Sequence, residues 1–174
     1  MLRPRGLRIP DRETGTDCHD DPDRPLTIEK GPLVQTTHPT GRRYTTEVRV
    51  RWSDLDAYGH VNNARALTLL EEARVDWLFT EATRRGATGL TGGMVVSRLA
   101  IHYKHSIGFG APVSVSMGVV ELKSVSTTID YLVTAESKIS ITATTQLVPV
   151  DPVNWRPRRW DTAERAFLTE YLAG

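Results

Sequence analysis

With 174 residues, 39% of them hydrophobic, the chain can bury one substantial core but not two typical ones. Its 22 Lys and Arg against 21 Asp and Glu leave a net charge of +1, which gives no electrostatic footprint for nucleic acid. A lone cysteine, Cys18, excludes an intrachain disulfide framework and any cysteine-built zinc site.

No apolar run approaches the roughly 18 residues of a spanning helix, and the charged start Met1-Leu2-Arg3-Pro4-Arg5 lacks the apolar stretch of a secretory signal. The expectation is a soluble, cytoplasmic protein with no membrane or nucleic-acid partner.

Residues 1–43 hold six of the ten prolines, no aromatic residue and only nine hydrophobic ones. Such text buries too little apolar surface to offset the entropy of ordering it, and predicts a disordered or loosely packed extension. A folded domain is expected over 44–174. Its first element is a half-buried strand in which Val48, Val50 and Trp52 alternate with Glu47, Arg49 and Arg51. A turn-rich segment, Ser53 to His60, follows. Asn62 or Asn63 then suits the cap of a helix running from Ala64 to about Arg85, with neither Gly nor Pro inside and Ala66, Leu70, Ala73 and Trp77 at helical spacing. Gly86 supplies the stop.

Beyond the Gly-rich joint 86–93, four strand-like stretches follow: Met94–His105, Pro112–Lys123, Val125–Thr134 and Lys138–Val150. Their short joints at Ser124 and Ala135–Ser137 fit antiparallel hairpins and are too short for crossovers. Trp155–Trp160 reads as a linker and Thr162–Leu172 as a short terminal helix. One strand, one long helix and a four-strand meander make an α+β layer architecture.

The segment with chemical content is Arg51 to Asn63, between the first strand and the long helix. A carboxylate there lies beside the unpaired amides of a helix N-terminus, an arrangement that polarises a carbonyl or binds an anion. Asp, Gly and Asn are also ordinary turn residues. The residues by themselves therefore leave both an active site and a well-capped helix start open.

The string Val50-Arg51-Trp52-Ser53-Asp54-Leu55-Asp56-Ala57-Tyr58-Gly59-His60-Val61-Asn62-Asn63-Ala64-Arg65, with Leu70-Glu71-Glu72-Ala73-Arg74, Tyr103-Lys104 and Leu147-Val148-Pro149-Val150-Asp151, resembles the hotdog-fold thioesterases of the 4-hydroxybenzoyl-CoA thioesterase type. The resemblance covers about Tyr44 to Pro157. It implies a hotdog fold, about five antiparallel strands wrapped around one long helix, and hydrolysis of an acyl-CoA or acyl-carrier-protein thioester without a cofactor. In the family the second aspartate of the Asp-x-Asp pair is catalytic, which falls on Asp56 as base or nucleophile. Asp54 is then structural. His60 matches a histidine of related acyl-carrier-protein thioesterases, where Tyr58 replaces their Asn; its role is a water-orienting group or a hydrogen-bonded residue at the helix start.

The amides of Val61, Asn62 and Asn63 are the expected oxyanion donors. Tyr58, Leu67, Lys104, His105 and Ser106 are candidate substrate contacts. Lys104-His105 stands where the family has basic residues near the nucleotide end of coenzyme A, although Ser106 and Ala111 replace its usual Pro and acidic residue. Arg74 and Arg65 are expected to pair with Glu71 and Glu72. His102 and His105 fall on opposite strand faces, so no metal site is expected.

The bare edge Val95–His102, with neither Pro nor a bulge signal, predicts a homodimer or dimer of dimers, with Lys104 serving Asp56 of the other chain. Two alternatives stand beside the hydrolase: a non-catalytic acyl-thioester or lipid-binding module on the same fold, and a hotdog dehydratase or hydratase.

Overall fold

The computed structural model describes residues 41–174, so the expected N-terminal extension lies outside the described residues except for its last three. Those three are fastened to the domain. Arg43 donates to Ser116 Oγ at 2.9 Å and to both Asp130 carboxylate oxygens at 2.9 and 3.0 Å, and Arg42 pairs with Glu170 at 2.7 Å.

Strand β1 (Tyr44–Val48) is shorter than the alternation suggests. The chain leaves the sheet after Val48 and Trp52–Asp54 forms a single 3-10 turn, in which the Asp54 carboxylate accepts from the Arg51 amide at 2.7 Å. Trp52, expected on a buried strand face, is 79% exposed as a result.

Helix α1 begins at Asn63, and its cap is Asn62, whose side-chain oxygen accepts from the Ala64 amide at 2.9 Å. The helical run extends as expected to Arg84, but it is α-helical only over Asn63–Val75 and again over Ala82–Arg84. Asp76–Glu81 widens into a π-helical stretch. There Asp76 accepts from the Tyr44 hydroxyl at 2.8 Å, while Trp77 stacks on Tyr44 and meets Tyr171 edge-on with ring centroids 4.9 Å apart. The wider turn re-phases the helix, so that Leu78 and Ala82 join Ala66, Leu70, Ala73 and Trp77 on the buried side.

Strands β2 (Met94–Tyr103), β3 (Val113–Leu122), β4 (Thr127–Ala135) and β5 (Lys138–Pro149) complete one antiparallel sheet of order β1-β3-β4-β5-β2. This is the wrapped-helix α+β architecture that the resemblance implies, with β1 and β2 at the edges. Glu136 and Ser137 join β4 to β5 with φ of 49° and 61°, the left-handed pair a two-residue hairpin of this twist requires.

The helix-facing side carries rows in register, among them Tyr44, Met117, Tyr131, Ala143 and Ile101, of which the middle three are buried and the two ends half-buried. The β2 margin of that side is only partly covered, since Val96, Leu99 and Tyr103 are exposed. A register shift between Val96 and Arg98 places a bulge in β2, against the expectation of an unbroken edge.

The C-terminal helix α2 (Thr162–Thr169) ends earlier than expected and opens with a capping box of Asp161 and Glu164. Glu164 is fully buried and held by Arg158 through two bonds of 2.6 and 2.7 Å. Removing one partner of such a pair leaves a buried charge uncompensated, so Arg158→Met is expected to lower the unfolding free energy by about 3 kcal/mol. Urea unfolding measures it, and an unchanged midpoint would contradict the assignment.

Candidate active site

The loop between β1 and α1 is closed by its own backbone. Leu55 bridges Val61, and His60 bridges Gly108. The Asp56 amide donates to His60 O at 2.8 Å, and Gly59 N–H returns to Asp56 O at 3.1 Å. Gly59 has φ 78°, a left-handed turn that a side chain would strain.

This closure aims Asp56. One carboxylate oxygen accepts from the amides of Tyr58 at 2.8 Å and His60 at 3.2 Å, while the other has no partner among the described residues. Asp54 points the other way, buried and bonded to the Arg51 amide. The two aspartates take different tasks because Asp54 closes the 3-10 turn Trp52–Asp54, whereas Asp56 lies beyond that turn and accepts from the amides that follow it.

Asp56 lies on a cleft of about 280 Å³. His60, Val61, Asn63 and Ala66 line it from the loop and α1. Tyr103, Lys104, His105, Ser106 and Ile107 line it from the end of β2, with Ile141 of β5 as floor. Tyr103, which the sequence reading passed over, locks the two sides together by donating to Asn63 O at 2.8 Å. Its signal was its place in strand parity, one residue before the basic pair.

Several expected assignments change. The Val61 and Asn62 amides are not free to meet an oxyanion, because they donate at 2.8 Å to Ile107 O and Asp54 O. Loop closure consumes them, and of the three only the Asn63 amide has no partner among the described residues. Tyr58 is 85% exposed and lies outside the cleft lining, as does Leu67. Lys104 and Asp56 line the same cleft. Glu71 does meet Arg74, at 3.4 Å, but Glu72 pairs with Arg51 at 2.9 Å and so ties the loop to α1 instead of meeting Arg65.

Comparison with known proteins bears on this geometry. The model of the thioesterase-like superfamily matches residues 50–164. The long-chain acyl-CoA thioesterase FadM of Escherichia coli is 31% identical over 98 residues, which are 56% of this chain and 74% of FadM. A thioesterase from Thermus thermophilus, solved in complex with coenzyme A and zinc, is 31% identical with a TM-score of 0.63, over 71% of this chain and 90% of that one. A Bacillus stearothermophilus protein described as a predicted thioesterase shares the fold, with a TM-score of 0.67 at 21% identity over 75% and 97% of the two chains. Among the described residues no three His, Cys, Asp or Glu side chains gather in a way that would hold a metal ion, and no helix is long and apolar enough to cross a membrane.

Because Asp54 stabilises the turn that the cleft is built on, Asp54→Ala is expected to cost about 1–2 kcal/mol of stability. Thermal unfolding of the purified variant checks it; a full-stability variant would show that the turn holds without the carboxylate.

Proposed function

The chain belongs to the thioesterase-like superfamily and is a thioester hydrolase, and on that premise we propose that it cleaves acyl-CoA thioesters with Asp56 as its catalytic carboxylate. The observation that carries the reading is the pair of amides on one Asp56 oxygen, which leaves the other unpartnered among the described residues on a cleft that Lys104 and His105 also line. Coenzyme A is the leaving thiol that the FadM and Thermus thermophilus relatives favour, with acyl carrier protein the alternative carrier. The cytoplasmic setting expected from the sequence belongs to the same reading.

In the general-base form, Asp56 takes a proton from water as the water oxygen bonds to the thioester carbon. The carbonyl oxygen becomes an oxyanion, and the unpartnered Asn63 amide at the positive end of α1 is its donor. Collapse breaks the carbon–sulfur bond, and the thiolate recovers the proton. In the nucleophilic form, Asp56 itself bonds to the carbon, expels the thiolate and is released from the resulting anhydride by water. His60, beside Asp56 on the cleft, orients the water in either form. Lys104 and His105 supply donors for coenzyme A phosphates where the cleft opens to solvent.

A homodimer also belongs to this reading. β2 presents unpaired backbone groups along an edge whose Val96, Leu99 and Tyr103 are exposed, and a second copy paired there would cover them.

Asp56→Asn is expected to keep the fold and lose about 10²–10⁴ in thiol release. Near-normal turnover by the folded variant would overturn the assignment. Single turnover in heavy-oxygen water separates the two forms, since label enters Asp56 only by the nucleophilic route. Removal of residues 1–40 is expected to leave both melting and turnover unchanged, because among the described residues the anchoring side chains begin at Arg42 and Arg43; a collapse of either would place the extension in the working protein.

A further inference from the structure

The Asn63 amide, the donor assigned to the oxyanion, belongs to the first residue of α1. Helix ends fray, and their first amides have no acceptor within the helix. Here the peptide units around that amide are nevertheless pinned. The unit that carries it has its carbonyl, Asn62 O, on the Ala66 amide at 2.9 Å. In the next unit the Ala64 amide donates to Asn62 Oδ1 at 2.9 Å, and the carbonyl, Asn63 O, accepts from the Tyr103 hydroxyl at 2.8 Å. The bonds from Ala64 and Ala66 lie inside the first turn and travel with it. The Tyr103 bond alone ties that turn to the opposite wall, since among the described residues no other hydrogen bond joins β2 to α1.

The anchor at the other end is firm. Tyr103 closes β2 opposite Ile141, and the next two amides, of Lys104 and His105, both donate to Ser140 O at 2.8 and 3.2 Å. Tyr103, Lys104, His105 and Ile141 share the cleft with Asn63. Partial burial raises the pKa of the Tyr103 hydroxyl above the ordinary tyrosine value, so it stays protonated and donates throughout the neutral range. With the residue 45% exposed, the bond adds little to stability, because water can satisfy Asn63 O in its place. What water cannot supply is position.

We infer that Tyr103 is a positioning residue of the thioester reaction. Its hydroxyl holds the first turn of α1 at the distance from the β2 wall at which the Asn63 amide meets the developing oxyanion. The inference rests on the thioesterase reading and adds the residue that sets the donor's place. A donor stabilises a transition state only where it is aimed at the developing charge, and a displacement of about 1 Å costs on the order of 100-fold in rate. Tyr103 exchanges no proton in the reaction and acts through Asn63.

The test measures thiol release from the best substrate of a panel of acyl-CoA esters, acetyl to palmitoyl with benzoyl. Tyr103→Phe keeps the ring and removes the hydroxyl. It is expected to lower kcat about tenfold or more, with KM changed by less than about threefold and melting shifted by no more than about 3 °C. Asn63→Pro removes the amide proton itself. Proline is accepted at the first position of a helix, and Asn62, with φ −60° and ψ 138°, already has the extended conformation that a following proline demands. This variant is expected to lose about 10²–10³ in kcat, and in its background Tyr103→Phe is expected to change kcat by less than about twofold. An unchanged kcat in Tyr103→Phe, a loss carried wholly by KM, or the same tenfold loss in the Asn63→Pro background would overturn the inference and leave the thioesterase reading standing. Normal turnover by Asn63→Pro would remove the amide from the reaction and overturn the inference with it. If Asn63→Pro does not fold, the division of the Tyr103→Phe effect between kcat and KM decides by itself. Wild-type protein that releases thiol from no ester would overturn the thioesterase reading and the inference together.

Discussion

One helix has to cover a sheet wider than itself. With side chains a helix is about 10 Å across, whereas five strands spaced about 4.8 Å apart span roughly 19 Å. α1 is committed to the β1 side by Trp77, which is wedged among Tyr44, Phe167 and Tyr171, and by the bond from the Tyr44 hydroxyl to Asp76. The margin at β2 is what the helix cannot reach. Burial there would cost nothing in hydrogen bonds and would remove apolar surface from water, so the incomplete cover is a geometric consequence of the fold's proportions.

Both functional features of the domain occupy that uncovered strip. At its upper end, where α1 starts and β2 finishes, Tyr103 reaches Asn63 O and the cleft forms between the two elements, with Asp56 at one wall and Lys104 and His105 at the other. Lower down, the exposed side chains of β2 mark the edge proposed for a second copy. A helix wide enough to close the strip would have removed the site together with the edge.

The loop that carries Asp56 is held for a reason separate from packing. Its nine residues from Asp54 to Asn62 spend most of their amides on one another, and Arg51 ties the loop to α1 through Glu72. A carboxylate fixed by two amides loses little freedom when substrate binds, which is the pre-organisation on which such chemistry depends. The same closure uses the Val61 and Asn62 amides, so that in the proposed reaction the oxyanion falls to the Asn63 amide.

Residue pattern alone determined the succession of elements, because strand parity and helical spacing are local properties: the Val113, Val115, Met117, Val119 alternation and the Ala66, Leu70, Ala73, Trp77 spacing needed no partner to be read. The Asp54-Leu55-Asp56 string likewise pointed to the family to which the chain belongs. Tertiary structure decided what depends on distant pairing. The sheet order, the π stretch set against Tyr44, the exposure of Trp52 and Tyr58, the loss of the Val61 and Asn62 amides to the backbone, and the placing of Lys104 and Asp56 on one cleft are settled only in the folded chain.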